Sequence, residues 1–405
     1  MSLLTSLRPN FLRLSTLGLA TVWLATGCAT RPAGTTTAAP SAGYLVYVGT
    51  NVTSDQENTI YLYRLDAGTG ALTPVSAQKG GAQPTYLTMD AGHRYLYAVS
   101  ETQSFQGRAN SGGVSALGID QRTGALTMLD QQPSLGASPC YISLDRSEKN
   151  VLVANYSTGN VAMLPRQANG QVAAPTDSEQ HQGPLGTHKN QDNPHAHCII
   201  ADPANRYAFA VNLGTDKVYS YRLDPAHGKL GTPSKVAFTA KPGAGPRHLT
   251  FHPNGRWAYL ENELGSTVTA LTYDAKAGTF QEIQSLTTLP SSYQQGDNSG
   301  ADVHVSPDGH FVYTSNRGDN SIAVFAVDGG SGRLTLVQHV STQGKTPRNF
   351  ALDPSGRVLL VANQNSNNIF TYKVDKQTGK LTPTGQSVQL PSPMFVEVVP
   401  DFTKQ

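Results

Sequence analysis

One short motif recurs seven times along the chain and constrains the fold more than any other feature of the sequence. Its pattern is Asp-x-x-x-Gly-x-Leu or a close relative, at intervals of about fifty residues. The seven copies span residues 66–72, 120–126, 166–172, 224–230, 274–280, 328–334 and 375–381. Alternating apolar and polar residues flank each copy, which predicts two strands joined by a glycine turn.

A second pattern precedes each of these hairpins: a strand, a polar turn with Pro or Gly, and a strand that ends in Asn or a small residue. His248–Asn262, Val303–Asn316 and Asn349–Asn363 are examples. Four short strands in each repeat of about fifty residues are typical of a β-propeller blade. We therefore predict an all-β, seven-bladed propeller with four-stranded blades. The 39 Gly and 25 Pro are spread over the turns, which argues against a disordered chain.

The two ends of the repeat region complement each other. The first repeat begins at Tyr44 and lacks an opening strand, whereas Pro393–Pro400 is an unassigned alternating segment at the other end. A C-terminal strand that joins the N-terminal blade would close the ring and remove two open sheet edges.

The first 27 residues have the features of an export signal. Arg8 and Arg13 precede the apolar run Leu14–Ala25, which is too short to span a bilayer. The run closes on Gly-Cys, so we predict a lipoprotein signal peptide over residues 1–27 and acylation of Cys28. An ordinary secretory signal is the alternative. Residues 28–43 are predicted to be a flexible tether, and residues 44–405 the propeller domain.

Charge and cysteine content narrow the partners and the compartment. The formal net charge is +2, and loss of the two signal-peptide arginines leaves acids and bases balanced. No basic footprint for nucleic acid is present, and the membrane contact is predicted to be the lipid on Cys28. The predicted location is the periplasm or cell envelope, with the outer membrane favoured because no Asp follows Cys28. The sequence leaves undecided whether Cys140 and Cys198 form a disulfide.

Alignment of the repeats predicts a functional face. In every complete repeat, a position at the start of the innermost strand lies sixteen residues before a position just after the second strand. In an antiparallel pair these two positions lie at the same end, so both sets face one mouth of the central channel. The charged or histidine residues at these positions are Glu101, His197, Arg247, Glu263, Arg317 and Arg348.

Three arginines at equivalent positions are typical of a site for an anionic group, because guanidinium binds carboxylate or phosphate with a planar fork of donors. The alternative is a structural ring of ion pairs. That alternative is strongest for Glu263 with Arg247, which are neighbours in one blade, and weaker for Arg317 and Arg348, which have fewer acids nearby.

Histidines add further candidates. His195 and His197 end a long connection that begins at Gln180, and on a strand both rings would share one face. Asp192 is the only acid at a suggestive spacing, so no metal site is predicted, and His197 is preferred as a base or donor. His304, on another innermost strand, is a second-rank candidate for substrate binding. His248 is predicted to lie in a turn or at the surface.

The chain resembles the propeller-type 6-phosphogluconolactonases and the related carboxy-cis,cis-muconate cyclases, in an exported lipoprotein version. The resemblance is carried by Gly245–Asn254, Tyr259–Ser266, Ala301–Gly309, Pro347-Arg348 and Pro393–Val396, and it extends from about Tyr44 to Pro400.

The resemblance implies a lactonase without a required metal or cofactor. Its functional residues, carried over to this chain, are His197, Arg247, Glu263 and Arg317, with Arg348 as an addition. His195, His304 and Glu101 are predicted to contact substrate. The predicted reaction is hydrolysis of a sugar lactone, either 6-phosphogluconolactone or an unphosphorylated aldonolactone. The alternatives are a lactone-forming cycloisomerase and a non-catalytic binding propeller of the cell envelope.

Overall fold

The computed structural model describes residues 43–294 and 296–404. The predicted signal peptide, the acylation site Cys28 and all but the last residue of the predicted tether lie outside these residues. Within the described residues, the first strand begins at Gly43, one residue before the predicted start of the propeller domain.

Seven four-stranded antiparallel sheets make up the domain, and the prediction of an all-β, seven-bladed propeller is confirmed. We number the blades along the chain and give their strands from the channel outward. Blade 1 comprises Pro393–Pro400, Gly43–Thr50, Ile60–Asp66 and Leu72–Gln78. Blade 2 comprises Leu87–Met89, Tyr95–Ser100, Gly113–Ile119 and Leu126–Pro133. Blade 3 comprises Pro139–Leu144, Asn150–Asn155, Asn160–Pro165 and Asp177–Gln180.

The remaining four blades follow the same plan. Blade 4 comprises Ala196–Ala201, Tyr207–Asn212, Lys217–Asp224 and Lys229–Thr239. Blade 5 comprises Pro246–Phe251, Trp257–Asn262, Thr267–Asp274 and Thr279–Thr287. Blade 6 comprises Gly300–Val305, Phe311–Asn316, Ser321–Val327 and Leu334–Ser341. Blade 7 comprises Pro347–Leu352, Val358–Asn363, Asn368–Val374 and Leu381–Gln389.

Short elements complete the described part of the chain. A two-stranded ribbon pairs Ser104–Phe105 with Arg108–Ala109, and two 3-10 turns span Gln364–Ser366 and Phe402–Lys404. No helix in the described ranges is both long and apolar enough to cross a lipid bilayer.

The hydrophobic core is divided among the seven gaps between adjacent blades. Each gap contains one cluster of buried side chains that both neighbouring blades supply. The innermost strands of adjacent blades contact one another around the whole ring, including blade 7 with blade 1. The core is therefore continuous around the channel, and each blade depends on two neighbours to bury its faces.

The repeated motif is explained by the turn between the two outer strands of each blade. In blade 1, Asp66 Oδ1 accepts hydrogen bonds from the backbone N–H groups of Gly68 and Thr69, at 2.8 and 2.9 Å. The glycine of every copy adopts a positive φ, which disfavours residues with a Cβ. Close packing adds a second reason at Gly332, where a Cβ would lie only 2.6 Å from the Trp257 ring of the preceding blade.

Blade 1 joins the two ends of the chain, as predicted. The C-terminal strand Pro393–Pro400 pairs antiparallel with Gly43–Thr50 along its length. Its alternate side chains enter different inter-blade clusters: Val396 packs towards blade 7, and Phe395 towards blade 2. A single strand therefore seals two of the seven gaps.

Removal of this strand is expected to destabilise the whole ring. A chain that ends at Leu390 loses five or more buried apolar side chains, each worth about 1.5–3 kcal/mol. We expect its melting temperature in calorimetry to fall by at least about 10 °C. The control is a chain that ends at Asp401, which keeps the strand and loses only the terminal turn. Equal melting temperatures for the Leu390 chain and the full chain would contradict this closure.

Candidate functional site

A β-bulge at the start of the innermost strand sets the direction of the key side chains. In blade 5, Pro246 pairs with Asn262 and His248 pairs with Glu261, so Arg247 has no partner of its own. The same one-residue shift occurs at Cys140, His197 and Arg348 in blades 3, 4 and 7. Bulges often redirect a side chain near functional sites. Here they direct residues of several blades to one end of the channel.

This end of the channel holds a cavity of about 230 Å³, which we call the mouth cavity. The seven residues that line it come from six blades, blades 2 to 7, so no blade alone contains the site. The lining residues are Glu101, Cys140, Tyr156, His197, Glu263, Arg317 and Arg348. Arg247 lies beneath them with only 2% of its side chain exposed. The structure thus brings together all six residues that the repeat alignment placed at one mouth.

Glu263 is the centre of the charged cluster. Its Oε2 atom lies 3.0 Å from Arg247 Nε and 2.8 Å from Arg317 Nη2. Burial favours a raised pKa for Glu263, but the nearby arginines, Arg317 first, outweigh burial and hold the pKa below its usual value. Glu263 is therefore ionised at neutral pH. The expectation that Arg317 has few acids nearby is wrong, because Arg317 shares this carboxylate with Arg247 across a blade boundary.

Backbone carbonyls of blade 6 hold both arginines in place. Arg317 Nη2 donates to the carbonyl of Gly300 at 2.8 Å, and Arg247 Nη1 donates to the carbonyl of Ala301. Each guanidinium therefore has a fixed backbone anchor in addition to Glu263. The two side chains are fixed before any ligand arrives.

A second, looser pair lies across the cavity. Arg348 Nη2 and Glu101 Oε1 are 3.8 Å apart, and about a fifth of each side chain is exposed. The hydroxyl of Thr85 donates to the other oxygen of Glu101 at 2.5 Å. Arg348 is thus the arginine of this cluster that is least committed to a carboxylate.

His197 lies in the cavity wall as a neutral imidazole. Burial lowers its pKa well below the usual histidine value, and the positive charge of Arg247 lowers it further. Its Nδ1 lies 3.6 Å from Cys140 Sγ, and its ring meets the Tyr156 ring edge-on at 5.5 Å. A neutral imidazole of this kind can accept or donate one hydrogen bond to a ligand.

His195 lies behind this wall and does not line the cavity. Its ring stacks on Tyr156 at 4.3 Å, and its Nε2 and Nδ1 lie 3.0 Å from Asp192 Oδ1 and the Tyr156 carbonyl. His195 therefore supports Tyr156, although the sequence predicted that it contacts substrate. In the described part of the chain, no group of three or more His, Cys, Asp or Glu side chains could hold a metal ion.

His304 is also outside the mouth cavity. It lines a different cavity of about 300 Å³, together with Phe395 and Glu397. Its Nε2 lies 2.9 Å from Asp302 Oδ2. Burial alone would lower the pKa of His304, but Asp302 outweighs it and holds the pKa above its usual value. Burial raises the pKa of Glu397 to about 7.

The sequence interpretation also placed His248 wrongly. It is 4% exposed and lies in the channel, not in a turn or at the surface. Its Nδ1 is 2.7 Å from Asp302 Oδ1 and its Nε2 is 3.1 Å from Arg247 Nη1. His248 therefore links Asp302 to the buried arginine. Its position next to Arg247 on an innermost strand was the available signal, but the bulge disrupts simple alternation there.

The two cysteines that the structure describes are free. Cys140 and Cys198 are both buried, and they do not form a disulfide. Burial raises the pKa of both thiols. Cys140 is a lining residue of the mouth cavity in its protonated form.

Comparisons with known proteins identify the family of this chain. The family described as "Lactonase, 7-bladed beta-propeller" matches residues 45–398. A 6-phosphogluconolactonase of Bacillus subtilis is 41% identical over 312 residues, which are 76% of this chain and 85% of that protein. A 6-phosphogluconolactonase of Formosa agariphila is 32% identical over 311 residues, 76% of this chain and 86% of that protein.

A solved structure is similar over most of the domain. The periplasmic gluconolactonase of Pseudomonas aeruginosa is 34% identical, with a TM-score of 0.81, and the match covers 88% of this chain and 99% of that one. The family match spans all seven blades and both partners of the ring closure. This chain therefore belongs to the seven-bladed β-propeller lactonase family.

Proposed function

We propose that this chain hydrolyses a sugar lactone to the open-chain aldonic acid, with the chemistry in the mouth cavity. The observation that carries the proposal is the ionised Glu263 held between Arg247 and Arg317 at the wall of that cavity. Lactone hydrolysis needs a base for the attacking water and positive charge for the oxyanion that forms. Both requirements meet at this carboxylate, and the names of the relatives agree with this reaction class.

In the proposed reaction, Glu263 takes a proton from water as the water oxygen attacks the lactone carbonyl. The C=O π electrons move to the carbonyl oxygen and give a tetrahedral oxyanion. When the oxyanion collapses, the ring C–O bond breaks. The leaving alkoxide takes the proton from Glu263. The products are the open-chain acid and the regenerated Glu263 carboxylate.

The shared arginines make this proton transfer electrostatically favourable. As Glu263 becomes neutral, negative charge appears on the substrate oxygen, so Arg247 and Arg317 exchange one anionic partner for another. The net charge of the cavity stays constant through the step. Both guanidiniums are anchored to carbonyls of blade 6, so they need to move little when the oxyanion forms. Such preorganised positive charge is the main source of electrostatic catalysis.

His197 is the second candidate for the base, because it lines the same cavity as a neutral imidazole. Protonation of this ring would place a third positive charge beside Arg247 and Arg348 in a buried setting. We therefore assign the base to Glu263 and a hydrogen-bonding role towards the substrate to His197.

The Glu263→Gln variant is expected to lose about 10²-fold or more in kcat for gluconolactone, because the amide keeps the shape but cannot accept the proton. A pH-indicator assay of lactone hydrolysis measures this loss. The control is Glu282→Gln, the same change at an exposed position of blade 5. Full turnover in Glu263→Gln, together with loss in His197→Asn, would move the base to His197.

Arg348 is proposed to bind the anionic end of a phosphorylated lactone. It has the loosest carboxylate contact among the arginines of the cluster, 3.8 Å to Glu101, and it lies across the cavity from Glu263. An exported enzyme would encounter unphosphorylated lactones, for which this contact matters less. The two substrate classes therefore differ in their dependence on Arg348.

The Arg348→Met variant is expected to raise KM for 6-phosphogluconolactone by about tenfold or more, because a hydrogen-bonded ion pair contributes about 1.5–3 kcal/mol. The KM for glucono-δ-lactone should change much less. Steady-state assays with both lactones measure the ratio, with Arg357→Met, an exposed arginine of blade 7, as the control. Equal changes for both lactones would contradict the assignment.

We also propose that the enzyme works in the cell envelope, exported by residues 1–27 and anchored through a lipid on Cys28. The support is the Gly-Cys that closes the apolar run and the periplasmic location named for the Pseudomonas relative. The outer membrane is the favoured site because Ala29, not Asp, follows Cys28.

The Cys28→Ala variant tests the anchor. The wild-type chain, expressed in a Gram-negative host, should sediment with the membranes and incorporate labelled palmitate, since acylation of the cysteine supplies the membrane affinity. The variant should incorporate no label and leave the membrane fraction. Equal fractionation and labelling of the two chains would contradict lipid anchoring.

A further inference from the structure

A buried carboxyl group that the proposed mechanism does not use lies behind the mouth cavity. Glu261, on the second strand of blade 5, is 0% exposed. Neither of its carboxyl oxygens has a hydrogen-bond partner within the part of the chain that the structure describes. A buried polar group without partners costs stability, so its presence needs a functional reason.

Glu261 is an exception among the seven blades. The residues at its equivalent positions are small or apolar: Gly49, Val99, Ala154, Val211, Ser315 and Ala362. A carboxyl group therefore replaces an apolar wall residue in one blade only, and that blade also carries Arg247 and Glu263.

The neighbouring blade has a matching exception. The Glu261 carboxyl packs against Gly300 so closely that a Cβ at residue 300 would overlap Oε1. The other blades have Pro or Ala at the position of Gly300: Pro84, Pro139, Ala196, Pro246, Pro347 and Pro393. The backbone there accepts a side chain elsewhere in the ring, so the glycine makes room for Glu261.

Gly300 connects Glu261 to the functional cluster. The Gly300 N–H donates to the backbone carbonyl of Glu263 at 2.9 Å, and its own carbonyl accepts the 2.8 Å hydrogen bond from Arg317. The next carbonyl, that of Ala301, accepts from Arg247. The Glu261 carboxyl thus presses on the backbone segment that anchors both arginines.

The charges around Glu261 determine its protonation state. The groups that act on it are Arg247, Glu263, Arg317 and Asp302. Burial raises the pKa of Glu261 well above that of an ordinary carboxyl, and the two arginines only partly oppose this effect. Asp302 is ionised, but its charge is paired with His304, whose pKa is raised. With Glu261 neutral, Arg247, Arg317 and Arg348 therefore face two carboxylates, Glu101 and Glu263. With Glu261 ionised, the excess of positive charge disappears.

We propose that Glu261 is a positioning residue of the lactonase site, whose uncharged carboxyl holds the Gly300–Ala301 segment and whose ionisation at high pH draws Arg247 and Arg317 away from Glu263. This inference rests on the proposed function. It makes Glu261 the group that sets the upper pH limit of activity, because ionisation removes the positive excess that receives the oxyanion.

The first experiment compares pH profiles of kcat/KM for glucono-δ-lactone between pH 6 and 9, with spontaneous hydrolysis subtracted. The wild type should lose activity towards high pH, approaching tenfold per pH unit once Glu261 ionises. The Glu261→Gln profile, relative to its own value at pH 6, should lack this fall. The Glu282→Gln control should keep the wild-type shape. An unchanged high-pH fall in Glu261→Gln would overturn the inference.

A second experiment tests the contact with Gly300. Gly300→Ala alone should reduce kcat, because its methyl group displaces the Glu261 carboxyl and with it the arginine anchors. The double variant Gly300→Ala with Glu261→Ala should recover activity relative to Gly300→Ala, since the new methyl occupies space that the carboxyl leaves. Failure of the second change to recover any activity would contradict the proposed packing.

Thermal melting provides a readout that is independent of catalysis. The unfolded chain ionises Glu261 near pH 4.3, whereas the folded chain keeps it protonated, so the folded state binds the extra proton above that pH. The wild type therefore loses stability as pH rises from about 4.3 to the folded pKa, and Glu261→Gln does not. The Tm advantage of Glu261→Gln should be larger at pH 8 than at pH 4. A constant difference would overturn the inference, whereas a wild type without lactonase activity would overturn only the proposed function.

Discussion

Antiparallel pairing between the two ends of the chain is the constraint on which the rest of the structure depends. Each blade buries its faces only against its neighbours, so the ring has no stable interior until the last gap is filled. The strand Pro393–Pro400 fills it by pairing with Gly43–Thr50. Without that pairing, the innermost strands of the other blades would have no fixed distance from the channel axis. The mouth cavity, which is built from several blades, would then not assemble.

The charged cluster at the mouth lowers the stability of the fold, because its charges are buried. Removal of an ion from water costs several kcal/mol, and a buried ion pair recovers this only with good geometry. Glu263 recovers it through two guanidiniums, which in turn have backbone carbonyls as partners. Apolar side chains would stabilise the ring more simply. The presence of this cluster at one end of the channel therefore points to chemistry and not to stability.

The channel links this cluster to groups further inside. His248 joins Arg247 to Asp302, and Asp302 in turn contacts His304 and Asn349. Asn349 receives a hydrogen bond from the backbone N–H of Val396 in the closing strand. The arginine at the centre of the proposed mechanism is thus connected, through three side chains, to the strand that closes the ring. Closure of the fold and preorganisation of the site share the same contacts.

The sequence by itself determined the number of blades, their strand order, the closing strand and the set of residues at the mouth. These features follow from local rules: a period of two in the strands, turn residues at fixed offsets, and a constant spacing of sixteen residues. Each rule can be read from a few neighbouring positions. The motif glycines, which need a positive φ, are the clearest example.

Only the tertiary structure decided that Arg317 joins Arg247 at the Glu263 carboxylate, and which histidines reach the cavity. The one-residue bulges at His197 and Arg247 break the alternation that sequence reasoning relies on, so His248 points into the channel and His195 lies behind Tyr156. Two of these contacts cross a blade boundary: Glu263 of blade 5 binds Arg317 of blade 6, and Glu261 of blade 5 packs against Gly300 of blade 6. Such contacts depend on the distance and angle between separate sheets, which ring closure sets and no local pattern encodes.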